Sequence, residues 1–196
     1  MFEASEIEGT SDASKYDGRS LKNSEFKKQI EEIMSTKTDQ KLELEAPRLV
    51  NGKALLIAGL REQTERGAGI PELWQRLMTH KIPNQVGREA YGLNFNTRSG
   101  TGNFEYMAGV EVSNASGLPG GFSHVNIPLQ TYAAFTHHGH VSTVFETCQK
   151  IAEWLPKSDY QCVDSVAGSP DFFERYGQEF NPQTGTGGIE IWVPIK

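Results

Sequence analysis

Apolar positions along this chain recur with two different periods. Phe26, Ile30, Ile33 and Met34 stand at i, i+4, i+7 and i+8, which predicts an amphipathic helix over residues 20–35, with Ser20 or Ser24 as its cap. Before it, residues 1–19 are small and polar and read as a tail; after it, residues 35–40 read as a linker. From residue 42 to 60 the pattern turns strand-like, and the Asn51-Gly52 pair marks a turn or bulge. Helical spacing returns over residues 67–83 with Ile70, Leu73, Trp74 and Leu77; Pro71 suits a first helical turn and Pro83 ends the run. Residues 88–112 read as two strands around a glycine turn, and the NASGLPGG stretch at 114–121 is a loop.

The second half restates that order. Residues 122–136 read as a strand or a bent pair of strands. Residues 141–155 form a helix with Val144, Phe145, Cys148, Ile151 and Leu155 on one side, stopped before Pro156. Residues 170–196 give another pair of strands. The two strand pairs share a sequence: residues 89–102 read EAYGLNFNTRSGTG and residues 174–187 read ERYGQEFNPQTGTG, at a constant offset of 85 (174 minus 89). Fixed-period self-similarity reports a repeated structural unit. The expectation is an α+β fold: a duplicated β-α-β-β unit about a pseudo-two-fold axis, antiparallel sheet with one helix per half, and a ligand pocket between the halves. The halves fall at about 41–115 and 120–196, with residues 1–40 as a tail, an extra N-terminal helix and a linker.

Composition narrows the function. Hydrophobic residues at 37% and charged residues at 22% suit a folded core rather than a disordered chain. The net charge is −6 and Lys and Arg form no cluster, which argues against direct nucleic-acid binding. Cys148 and Cys162 are fourteen apart with no C-x-x-C, so neither a disulfide framework nor a zinc site is expected. No apolar run is long enough to span a membrane and no signal segment opens the chain, so the expected location is the cytoplasm. The glycine-rich turns match no phosphate-binding loop pattern, and no G-x-S-x-G occurs. His137, His138 and His140 suggest a metal by composition, but adjacent strand residues point to opposite faces and no familiar ligand spacing accompanies them. No cofactor and no metal are expected.

The runs SPDFFERYGQEFNPQTGTGGIEIWVPI, FEYMAGVEV and VNIPLQTYAAFTHHGHV resemble the GyrI-like, or AraC-type effector-binding, small-molecule-binding domain over roughly residues 42–196. The resemblance implies a duplicated β-α-β-β fold with a pocket between halves and a sensor of organic ligands, often aromatic and cationic. Members of that family are joined to helix-turn-helix domains, stand free, inhibit gyrase, or hydrolyse reactive genotoxins. This sequence carries no helix-turn-helix, so direct DNA binding does not carry over; a separate DNA-binding regulator or gyrase is a candidate protein partner.

The resemblance also makes Glu174 the pocket acid, since it matches the acid of the family's E-x-Y motif. Glu89 is its repeat mate. Tyr176 and Tyr91 stand two residues beyond those acids, on the same strand face in each copy. Trp74, Tyr106, Phe135 and Trp192 are candidate aromatic walls, because ring faces attract cations and ligand pockets are mostly apolar; core packing is the competing role for each, and Trp74 and Trp192 are preferred. Glu111 is a second candidate pocket acid, and a Glu111–Glu174 pair is the arrangement a hydrolase would need for acid-base work. The expected role remains ligand capture rather than catalysis.

Overall fold

The computed structural model describes residues 44–99, 101–163 and 168–196. The helix expected at 20–35 lies outside them. Eight strands are present among these residues: β1 (Arg48–Gly52), β2 (Leu55–Glu65), β3 (Gln85–Phe95), β4 (Asn103–Val112), β5 (Ser123–Ile127), β6 (Gln130–His137), β7 (Phe172–Tyr176) and β8 (Ile189–Ile195). Among the described residues two helices join them, α1 (Ile70–Met78) and α2 (Val144–Trp154). All strands belong to one antiparallel sheet of order β1-β6-β8-β7-β3-β4-β2-β5. Exchanging β1 with β5, β2 with β6, β3 with β7 and β4 with β8 reproduces that order read from the opposite edge. Each half is thus β-β-α-β-β, one strand more than the sequence pattern predicts. The added strands are swapped: β1 pairs with β6 of the second half, and β5 with β2 of the first.

The helices are shorter than expected. Gly69, at φ 84°, opens α1, and Pro71 occupies its first turn, where a missing N–H costs no helical bond. Three-residue 3-10 turns flank α2, the second containing Pro156. Both helices lie on one face of the sheet, over clusters that include Leu73, Leu77 and Tyr106 for the first half and Phe135, Ile151 and Ile191 for the second.

The other face is covered by the sheet itself. Val125 of β5, Phe95 of β3, Phe173 of β7 and Tyr132 of β6 belong to one buried cluster, and the Tyr132 and Phe173 rings meet at 5.2 Å. Strands far apart in the order share this core because the sheet curls. A close approach of β2 and β4 contributes: Gly59 lies opposite Gly109, and a Cβ on Gly59 would stand 1.9 Å from the Ala108 carbonyl oxygen. Residues Leu44–Lys196 make up a single compact unit.

The seam between halves is the β3–β7 pair, and it fixes which side chains share a face. Gly92 lies opposite Glu174 and Leu93 opposite Phe173. Even-numbered residues of both strands therefore face the helices, and odd-numbered residues face the curled side. This corrects the reading of the sequence repeat. An odd offset of 85 turns every strand residue of one copy onto the face opposite its mate. Tyr91 joins Leu93 and Phe173 on the curled side, whereas Tyr176 joins Ile189 and Ile191 beneath α2. The repeat does hold in the turns, where Gly102 and Gly187 both adopt positive φ, at 80° and 86°.

Candidate functional site

The helix-facing side of the seam carries a buried acid. Glu174 of β7 is 8% exposed. Its Oε2 accepts hydrogen bonds from Tyr106 Oη of β4 at 2.7 Å and from Tyr176 Oη at 2.8 Å. Its Oε1 accepts from Asn94 Nδ2 of β3 at 3.3 Å. Trp74 of α1 donates from Nε1 to Tyr106 Oη at 3.1 Å, and its ring meets the Tyr176 ring edge-on at 5.2 Å. The next residue inward is Gly92, and no other residue fits: a Cβ there would lie 2.0 Å from Tyr106 Oη and 2.5 Å from Glu174 Oε2. One carboxylate is thus held by groups from β3, β4 and β7, with Trp74 of α1 donating to the β4 phenol.

The electrostatics follow from burial. Desolvation pushes the Glu174 carboxyl above its ordinary range, and the three donors pull partly against it. Desolvation and the nearby Glu174 charge push the Tyr106 and Tyr176 phenols well up, so both remain neutral donors. Cys148 of α2 is raised by burial first and by Glu174 second, which keeps it a thiol. Oε1, with one long hydrogen bond, retains acceptor capacity for a further donor or a cation.

This acid forms part of the floor of a cleft of about 1420 Å³, whose walls include side chains of both helices. Trp74 and Ile70 come from α1, Val144, Phe145 and Cys148 from α2, Phe172 and Val193 from the second half of the sheet, and Phe180 from the β7–β8 connection. The wall is largely apolar around a small number of polar groups, the composition of a pocket for an organic ligand.

Of the residues picked out in the sequence, Glu174, Tyr176, Trp74 and Tyr106 meet here. Phe135 faces the same side but is packed against Trp154 at 5.4 Å, under α2. Glu89, Tyr91, Glu111 and Trp192 are on the curled side. Arg175 bridges Glu89 at 3.4 Å and Glu190 at 3.1 Å, and Trp192 stacks on Phe173 at 5.5 Å. Glu111 pairs with Lys53 at 2.7 Å. The sheet separates Glu111 from Glu174, so the acid pair that a hydrolase would use is not assembled. The three histidines also diverge: His137 turns inward to Thr147 Oγ1 at 2.8 Å, His138 meets Glu45 at 3.1 Å, and His140 accepts from the Ser142 amide at 3.2 Å. No group of three metal-ligating residues forms among the described residues.

Sequence reasoning missed Asn94, Gly92 and Cys148 as members of the site. For the first two the missing signal was register: once Gly92 is set opposite Glu174, Asn94 must share its face.

A family model for the GyrI-like small molecule binding domain matches residues 45–196. The chain belongs to this family. Among curated proteins, the transcriptional regulator BrlR of Pseudomonas aeruginosa is 29% identical over 153 residues, covering 76% of this chain and 54% of the regulator. This GyrI-like chain thus spans about half the length of that relative. Among solved structures, the EcmrR C-terminal domain aligns with a TM-score of 0.60 at 14% identity, over 79% of this chain and 98% of that one. SAV2435 bound to tetraphenylphosphonium aligns with a TM-score of 0.57 at 21% identity, over 78% and 94%. At these identities the likeness is one of fold. Among the described residues, no helix is long and apolar enough to cross a membrane.

Proposed function

We propose that this GyrI-like domain captures an amphipathic aromatic cation in the cleft between α1 and α2, and that capture signals to a separate DNA-binding regulator. The observation that carries the reading is Glu174, a buried acid in the floor of an apolar cleft, with acceptor capacity left on Oε1. A cation supplies the counter-charge that burial withholds, and in a dry site the attraction is stronger than in water. The Trp74 and Tyr176 rings add faces that favour a cation. The tetraphenylphosphonium held by SAV2435 is a ligand of this chemistry. The relation to BrlR supports a role in transcriptional regulation. We attribute the exchange symmetry of the strand order to duplication of a β-β-α-β-β unit, which places the acid beside the join.

Tetraphenylphosphonium titration followed by tryptophan fluorescence tests this, because Trp74 lines the cleft. Saturable binding by the native chain, weakened at least about tenfold in Glu174→Gln, is expected; tenfold corresponds to about 1.4 kcal/mol. Equal affinity in the two proteins would remove Glu174 from the reading.

A further inference from the structure

The charges lining the cleft offer more than a simple cation uses. Among the described residues, three arginines line it, Arg66, Arg88 and Arg98, and no lysine does. The carboxylates that line it among the described residues are Glu174 and Asp171. Glu174 is buried and biased towards its protonated form. Asp171 is 5% exposed and accepts from the Thr97 amide at 2.8 Å and the Thr97 hydroxyl at 2.9 Å. None of the three arginines forms an ion pair with a carboxylate among the described residues, and all three are exposed. A chain of net charge −6 therefore presents arginines at the rim of its cleft. For a bare monocation those guanidinium groups oppose entry, since low-dielectric walls focus their field.

Two of the arginines stand at the same end of the strands, by the β3–β4 turn. Arg66 follows β2, and its amide donates to the Gly102 carbonyl at 2.9 Å, so it sits against the β3–β4 turn. Arg98 stands in that same turn and reaches the Val163 carbonyl at 3.5 Å. Asp171 is the acid at this end, and Thr97 engages it there. Arg88 belongs to the other end, within the first residues of β3 itself. From Gly92, opposite Glu174, to Phe95, the last strand residue before that turn, is three residues of strand, roughly 10 Å at 3.3 Å each.

We infer that the cleft takes an elongated zwitterion: a cationic group on Glu174, an apolar body along the helices, and a carboxylate or phosphate held by Arg66 and Arg98. This rests on the cation reading of Glu174 and adds a second, oppositely charged subsite. Arginine presents a planar fork suited to such oxyanions.

The test uses two probes that differ only in the anion, decyltriphenylphosphonium and carboxydecyl-triphenylphosphonium, titrated into the full chain at low and high salt. The carboxylated probe is expected to bind at least tenfold tighter. That gain should vanish in Arg66→Gln/Arg98→Gln, survive in part in Arg66→Lys/Arg98→Lys, persist in Arg88→Gln, and shrink at high salt. Glu174→Gln should weaken both probes. Equal binding of the two probes to the native chain, or a gain that survives the double glutamine variant, overturns the arginine subsite; the cation reading then stands if both probes still weaken in Glu174→Gln. Failure of both probes to bind the native chain overturns the cation reading itself.

Discussion

At the residue scale the site depends on what happens to one proton. Burial holds the Glu174 carboxyl above the usual range in the folded chain, whereas an unfolded glutamate titrates near 4.3. Between those two values the folded state binds the proton more strongly than the unfolded state. Stability therefore falls as pH rises through that window, by up to about 1.4 kcal/mol per pH unit, and is level above it. Affinity for a permanent cation has the opposite slope. It rises with pH as Glu174 ionises, by up to about tenfold per unit below the raised value, and then flattens. Glu174→Gln should flatten both profiles, which titrations and urea melts run upward from the unfolded glutamate value will read. A profile for tetraphenylphosphonium that is flat in the native chain would mean Glu174 stays in one protonation state throughout. Gly92 belongs to the same balance. Gly92→Ala puts a methyl where Tyr106 and Glu174 meet, so it should cost about 1–3 kcal/mol by overpacking and weaken cation binding as well. An unchanged melt would mean that the Tyr106–Glu174 contact yields easily.

At the element scale, the decisive property is the face on which each strand residue falls. Glu89→Gln and Glu111→Gln are expected to leave tetraphenylphosphonium affinity within about twofold, since both acids lie across the sheet from the cleft, and to change stability by under about 1 kcal/mol as partly exposed ion pairs do. Asn94→Ala should weaken binding, because it removes the Oε1 donor. Reversal of that order in calorimetry would show that the curled side binds the ligand. The same property explains what the sequence could and could not disclose. Helical spacing in Ile70, Leu73, Trp74 and Leu77 and the pattern after Val141 located both helices, because those periods come from residues near in sequence. The strand pairs around the glycine turns were legible for the same reason. Strand pairing across the seam was not, since it joins residues about eighty apart. Glu89 and Glu174 look equivalent in sequence, yet the pairing that sets Gly92 opposite Glu174 sends them to opposite faces. The repeat was a guide to turns, where Gly102 and Gly187 adopt positive φ, and not to the faces of the strands. Glu174, Trp74, Tyr106 and Tyr176 were nominated one by one; their convergence is a long-range fact.

At the scale of the whole molecule, the two halves cannot be separated by cutting the loop between them. β1 belongs by sequence to the first half and by pairing to the second; β5 is the converse. A fragment ending near Gly117 would keep β1 without β6, leave the β2 and β3 edges unpaired, and expose the Leu93 and Phe95 side of the curled core. A fragment beginning near Leu118 would lose β1 from β6 and β3 from β7, and with β3 the Asn94 donor. Exposed sheet edges and a halved core favour association over folding. Each fragment made alone should therefore lack a cooperative urea transition and bind no tetraphenylphosphonium, while co-expression of the two should restore one transition and the binding together. The intact chain should unfold in a single step, with ligand shifting the whole curve, because a site built on the seam is lost when either half opens. A fragment that melts cooperatively by itself would show that the swapped strands are accessories. The cleft would then be an interface between two autonomous units, and signalling would follow from a change in their angle rather than from ordering of one sheet.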